Sequence, residues 1–189
     1  MKIKTNKETM QIIGITGTLG AGKGTIVEYL TENKGFQHYS VRQFLIEEIE
    51  KRGLPVNRDS MTNIANELRA ANTPYYIVGE LYKQALAFGK NAVIESIRTP
   101  GEVEFLQQQG DFILIAVDAD PKLRFERIKL RKSATDQIDF ETFLSNEKRE
   151  MTTADPNKQN LQKCIQMADI ALQNGGTIDE LIQQLEEKL

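Results

Sequence analysis

A nine-residue segment, Gly17-Thr-Leu-Gly-Ala-Gly-Lys-Gly-Thr25, constrains this chain more than any other feature. It follows the short apolar run Met10-Gln-Ile-Ile-Gly-Ile-Thr16, whose unbroken hydrophobicity suits a strand buried in a parallel sheet. Behind it a helix is predicted from about Lys23 to Glu32. A Gly-x-x-x-x-Gly-Lys turn in that setting lets successive backbone N–H groups wrap around phosphate oxygens, and the helix N-terminus adds favourable partial charge. Lys23 neutralises the outer phosphates of a triphosphate. The predicted cradle is thus Gly17, Thr18, Leu19, Gly20, Ala21, Gly22, Lys23, Gly24 and Thr25, its glycines allowing the chain to turn sharply against a ligand. The usual pattern places a Ser or Thr directly after the lysine to meet magnesium. Here Gly24 stands in that place, and the hydroxyl of Thr25 either touches phosphate or reaches the metal through water.

The rest of the chain alternates strand and helix signals. Phe36-Gln-His-Tyr-Ser40 is a candidate second strand, and the stretch from about Val41 to Phe88 reads as helical. Within it Met61, Ile64, Ala65 and Leu68 fall at i, i+3, i+4, i+7 behind an Asp59 or Ser60 cap, while Val78, Leu81, Ala85 and Phe88 form a second face ahead of Gly89. Asn91 to Ile97 and Asp111 to Val117 are β-branched apolar runs that suit central strands. Helices are predicted from Pro121 to Lys132, around Phe140, Phe143 and Leu144, and around Leu161, Cys164, Ile165 and Ala168. An edge strand near Ile170-Ala-Leu172 precedes a last helix carrying Ile178, Leu181, Ile182, Leu185 and Leu189. This alternation predicts a three-layer α/β/α fold with a five-stranded parallel sheet covered on both sides. At 189 residues the chain is expected to form one domain.

Composition narrows the chemistry. Cys164 is the only cysteine and His38 the only histidine, which excludes intrachain disulfides, cysteine-based metal clusters and His-rich zinc sites. A net charge of −3 argues against broad attraction to nucleic acid, although a local basic cleft fits within an acidic protein. No apolar run approaches the ~20 residues a membrane helix needs. The polar, charged start from Met1 to Thr9 lacks a secretory pattern, so a cytoplasmic location is the expectation.

The string Gly-Ala-Gly-Lys-Gly-Thr at 20–25 resembles the phosphate loop of adenylate-kinase-like nucleoside monophosphate kinases, which share its Lys-Gly-Thr ending. Tyr39-Ser-Val-Arg-Gln-Phe-Leu45 resembles the segment of that family in which a hydroxyl and an arginine meet the acceptor nucleotide, here Ser40 and Arg42. Glu95-Ser-Ile-Arg98 resembles the family's Asp-Gly-x-Pro-Arg segment, with Glu95 in place of Asp. Glu126-Arg-Ile-Lys-Leu-Arg131 resembles the arginine-bearing helix at the family's lid, while Ala168 to Gly175 is similar to the closing strand of dephospho-coenzyme A kinases. No acidic residue follows the second strand in the manner of those latter enzymes. Little-characterised P-loop kinase-like proteins with an Asp-Gly-Ile-Arg-Ser segment and phage-type deoxynucleotide kinases are further similar groups. The resemblance implies a P-loop kinase fold with a helical acceptor-binding insertion over residues 41–90 and a short lid at about 131–150. ATP and Mg2+ are the implied cofactors and a small nucleotide the implied partner, bound by a monomer or homodimer without nucleic acid or membrane.

Moving a phosphoryl group between two anions demands charge neutralisation and in-line placement more than covalent chemistry. Arg42 and Arg98 lie near the predicted C-terminal ends of strands two and three, the edge where open α/β sheets bind ligands, and suit the acceptor phosphate. Arg124, Arg127 and Arg131, spaced i, i+3, i+7, are expected on one helix face, where Arg127 and Arg131 close over the donor phosphates. Glu95 either holds magnesium, directly or through water, accepts a proton from an incoming hydroxyl, or simply pairs with Arg98 at a strand end. Asp118 and Asp120 are expected to cap the following helix. Arg69, at the end of the Met61 to Leu68 helix, either contacts the acceptor or, the favoured reading, faces solvent; Cys164 is expected to lie in the core, whereas His38 has no evident partner. Asn174 and the glycines after it either border the donor's adenine or form a turn. Three functions follow: transfer of the γ-phosphoryl group to a (deoxy)nucleoside monophosphate, a dephospho-coenzyme A kinase, or a nucleotide-dependent switch that hydrolyses slowly.

Overall fold

The computed structural model describes residues 10–131 and 138–189. Five strands, β1 (Ile12–Gly17), β2 (Gln37–Ser40), β3 (Ala92–Glu95), β4 (Phe112–Asp118) and β5 (Ile170–Gln173), form one sheet in the order β2-β3-β1-β4-β5. Every pairing is parallel. β1 lies at the centre, all six of its residues buried, as its unbroken hydrophobicity requires.

Strand side chains alternate between two helical layers. Ile13, Ile15, Val93, Ile115 and Val117 pack with Ile26 and Leu30 of α1 (Lys23–Lys34) and with Leu181 and Leu185 of α9 (Ile178–Lys188). Ile12, Ile94 and Leu114 face the opposite layer. That layer holds α2 (Val41–Lys51), α3 (Arg58–Ala71), α4 (Tyr76–Phe88), α5 (Pro100–Gln107) and Cys164 of α8 (Leu161–Gln166). Cys164 is fully buried, and burial pushes its thiol up to about 12. The remaining helices, α6 (Pro121–Arg131) and α7 (Phe140–Met151), join through the ring cluster of Phe125, Phe140 and Phe143. Among the described residues, no helix is long and apolar enough to cross a membrane.

Two local readings are corrected. The cap of α3 is Asn57, not Asp59 or Ser60, and Ser60 completes the capping box from the N3 position. The helix α5 was not expected between the third and fourth strands. Its start carries a local signal nonetheless, with Thr99 as N-cap, Pro100 at N1 and Glu102 at N3.

Candidate active site

The loop that leaves β1 is held open by geometry only glycine allows. Gly17 adopts φ 139°, and a Cβ there would lie 2.1 Å from the Val117 carbonyl oxygen; Gly22 adopts φ 103°, and its Cβ would lie 2.2 Å from Asn174 Nδ2. At Gly24, by contrast, a Cβ meets nothing within 4 Å, so the protein itself does not demand glycine there.

Three remote elements clamp the loop. At the end of β4, Asp118 accepts the Thr18 hydroxyl at 2.5 Å. From α6, Arg124 donates to the Leu19 carbonyl at 3.3 Å, and beyond β5 the Asn174 amide donates to the Ala21 carbonyl at 2.8 Å. A backbone cradle fixed before a ligand arrives loses little freedom on binding.

Lys23 Nζ donates to the Gly17 and Thr18 carbonyls at 2.9 and 2.8 Å, which leaves a third N–H for a ligand oxygen. Burial, with help from the positive charge of Arg98, lowers its pKa to about 7. An ammonium desolvated to that degree awaits an anion.

A cleft of about 610 Å³ opens beside the loop. Leu19, Gly20, Gly22, Lys23, Gly24 and Thr25 line one part of it, and Arg42, Arg58, Arg69, Arg98 and Arg131 line others. Glu95 at the C-terminal end of β3 also faces the cleft. It accepts the Ser40 hydroxyl at 2.8 Å and lies 3.6 Å from His38 Nε2. Burial opposes its charge but is outweighed by Ser40, His38 and Lys23, so the carboxyl stays below its ordinary range and ionised. Among the described residues no group of three or more His, Cys, Asp or Glu side chains gathers to hold a metal. One carboxylate and one hydroxyl beside a phosphate loop fit magnesium, which keeps several waters and binds through one or two carboxylates plus phosphate oxygens.

The chain and its fold have counterparts among known proteins. The AAA domain family matches residues 13–155 of the chain, and a UPF0200 protein of Methanococcus maripaludis strain C6 is 30% identical over 184 residues, across 94% of each chain. The chain belongs to the AAA domain family and to the UPF0200 proteins. Shikimate kinase from Aquifex aeolicus shares the fold with a TM-score of 0.58 at 14% identity, covering 94% of each chain. A gluconokinase from Sinorhizobium meliloti does so with a TM-score of 0.57 at 14% identity, covering 93% of this chain and 89% of its own. Such identities speak to fold alone. The fold of this AAA domain is that of a P-loop kinase, as its sequence led one to expect.

Within the AAA domain the charged residues are distributed differently from the sequence reading. Glu95 does not pair with Arg98; it takes Ser40 and His38, while Arg98 donates to Glu150 at 2.7 Å and to Gln159 at 3.1 Å. Ser40 does not line the cleft, for its hydroxyl accepts from the Gln43 N–H as the cap of α2 and donates to Glu95. Arg42 lines the cleft from the first turn of α2.

Arg69 does not face solvent. Its side chain is 1% exposed and donates twice to Glu102, at 2.8 and 3.1 Å, while the other oxygen of Glu102 accepts the Arg98 and Thr99 N–H groups. One buried carboxylate therefore ties α3 to the turn that carries Arg98.

The arginines of α6 do not act as one face. Arg124 is buried against Glu147 and the Phe143 ring, and it also donates to the Ala119 carbonyl. Arg127 turns to the carbonyl and side chain of Asn174, at 3.0 and 3.3 Å, and does not line the cleft. Only Arg131 does. The N-terminal half of α6 is wedged between the loop, α7 and the turn after β5, so its arginines find partners there. Asp120 caps α6 as expected, through the Lys122 N–H, but Asp118 instead secures the phosphate loop. Asn174 secures that loop as well, from beyond β5.

Arg58, Glu147 and Glu150 are among the cleft and clamp residues that escaped the sequence reading, with Gln159 in the cleft and Glu102 behind Arg69. The i, i+3 spacing of the two glutamates on α7 was their one visible signal. Ser96, which lines the cleft, adopts φ 68°, a left-handed conformation that only the surrounding structure can hold a serine in.

Proposed function

We propose that the protein is an ATP-dependent phosphotransferase that moves the γ-phosphoryl group to a nucleotide-like acceptor, a (deoxy)nucleoside monophosphate being the favoured class. The observation that carries this reading is one cleft in which a lysine-bearing phosphate loop shares its walls with arginines from separate elements. A nucleotide switch has no use for that second set of cations, whereas transfer between two anions requires it.

In this reading the loop N–H groups and Lys23 bind the β and γ phosphates, with Arg131 beside them. Thr25 and Glu95 hold Mg2+, directly or through water, and the ion neutralises phosphate charge when bound. The ionised state of Glu95 suits that task, whereas a pKa below the ordinary carboxylate range makes it a weak proton acceptor for a hydroxyl acceptor group. Arg42 and Arg98 receive the acceptor's anion, and Ser40 acts through Glu95 by fixing its carboxylate. Residues 41–90 then serve as the acceptor-binding part and 131–150 as a short lid; residues 132–137 of that lid lie outside the described residues. Arg127 contributes from outside the cleft by holding Asn174, and hence the loop.

A coupled assay with ATP, magnesium, a panel of nucleoside monophosphates and dephospho-coenzyme A tests the reading. ADP formation that depends on one acceptor is expected, and that acceptor separates nucleotide kinase from dephospho-coenzyme A kinase. ADP formation indifferent to every acceptor would leave only the switch.

Lys23 also makes a pH prediction. Its pKa is about 7 without ligand and rises when phosphates surround it, so binding takes up a proton between those two values. ATP affinity should fall by up to about tenfold per pH unit above pH 7 until the liganded value is reached. Calorimetry at pH 8 in two buffers of different ionisation enthalpy should register an uptake approaching one proton per ATP. Zero uptake would mean that Lys23 is charged before ATP arrives.

A further inference from the structure

Glu150 reaches from the last turn of α7 into the cleft, where it is 5% exposed. Its Oε1 accepts from Arg58 Nη2 at 2.6 Å and Nε at 3.1 Å, and its Oε2 accepts from Arg98 Nη1 at 2.7 Å. One carboxylate is thus gripped by two guanidinium groups from different elements, the way arginines grip phosphate. Arg69 lines the same cleft, and its buried Nη1 has no hydrogen-bond partner. A buried donor left unpaired is costly, so that group favours an incoming acceptor atom.

The charges point the same way. The charge of Arg69 is met by Glu102, but Arg58 and Arg98 share the single negative charge of Glu150. Two cations around one monoanion leave an excess positive charge that a phosphate dianion would cancel. Glu150 therefore satisfies the seat's geometry without satisfying its charge.

We propose that Glu150 is a built-in occupant of the acceptor's anion seat, displaced when a phosphate dianion settles on Arg58 and Arg98 with Arg69 Nη1 as an added donor. The seat is autoinhibited until such an anion competes for it. One turn earlier on α7, Glu147 holds Arg124, which donates to the Leu19 carbonyl of the phosphate loop. The same helix thus touches the donor loop through Glu147 and the acceptor seat through Glu150, and filling the seat releases only its acceptor-side grip. That the natural anion belongs to an acceptor nucleotide rests on the phosphotransferase reading; the seat itself does not.

Inorganic phosphate, titrated calorimetrically against the intact protein without nucleotide, tests the seat separately from catalysis. Apparent affinity scales with the fraction of seats left open, so Glu150→Gln should bind phosphate more tightly than the parent, by about tenfold where Glu150 fills the seat about nine-tenths of the time. Phosphate held at the Lys23 loop contributes to both proteins, and the double variant Glu150→Gln/Arg98→Gln should lose the gain. Equal or weaker phosphate binding by Glu150→Gln would overturn the proposal, as would a gain that survives in the double variant. Should Glu150→Gln fail to fold, hydrogen exchange on the unaltered protein decides instead. Saturating phosphate should speed exchange at residues 147–151, and unchanged or slower exchange there would refute displacement. An acceptor panel without activity, together with a positive phosphate result, would reject the phosphotransferase reading while leaving the seat intact.

Discussion

Lys23→Ala is expected to lower ATP-dependent turnover by about a hundred- to a thousandfold, the usual cost of removing one preorganised cation or donor from developing phosphoryl charge. The unliganded protein should melt no lower than the parent. The reason lies in the sign of its pKa shift. A lysine whose folded pKa is lowered from 10.5 to about 7 is disfavoured by the fold whenever it is charged. That penalty is fully present below pH 7 and fades as pH rises toward 10.5. Alanine removes the penalty together with the function. Turnover measurements paired with thermal melts at pH 7 check both halves, and unaltered turnover would mean that the donor phosphates bind elsewhere.

Arg69→Met should destabilise the fold by about 3–5 kcal/mol, because it strands the Glu102 carboxylate in the core. For a chain of this size the melting temperature then drops by about 10 °C. Pairing it with Glu102→Gln should restore part of the loss, since a neutral amide oxygen still accepts the Arg98 and Thr99 N–H groups without an unpaired charge. Denaturant unfolding of the two single variants and the double variant measures the coupling. Additive losses would show that the ion pair is not the unit holding α3 to the Arg98 turn.

These two residues stood very differently in the sequence. The phosphate loop was legible because its determinants are neighbours in the chain: an apolar strand, a glycine-rich turn and a helix start, all between residues 10 and 34. The central strands were legible for a similar reason, since burial on both faces demands apolar runs. The start of α5 carries a local signal too, in Thr99, Pro100 and Glu102. Arg69 and Arg124 were not legible, and both lie buried. Their counter-charges stand 33 and 23 residues away, at Glu102 and Glu147, on elements whose placement no local pattern announces.

The same division governs the site. Lys23 and its glycines were identifiable because a phosphate cradle is a property of one continuous backbone segment. Which arginines face the cleft was a tertiary decision. The spacing of Arg124, Arg127 and Arg131 put them on one helix, but Glu147 drew the first inward, Asn174 drew the second aside, and only the third lines the cleft. Arg58 and Glu150 stand 92 residues apart in sequence and meet only because α3 and α7 converge on one cleft. Sequence by itself determined the strand–helix alternation and the loop, which rest on periodicity and adjacency. The tertiary structure decided which charges are spent on each other and which line the cleft, because a side chain's electrostatic partner is set by proximity in space rather than along the chain.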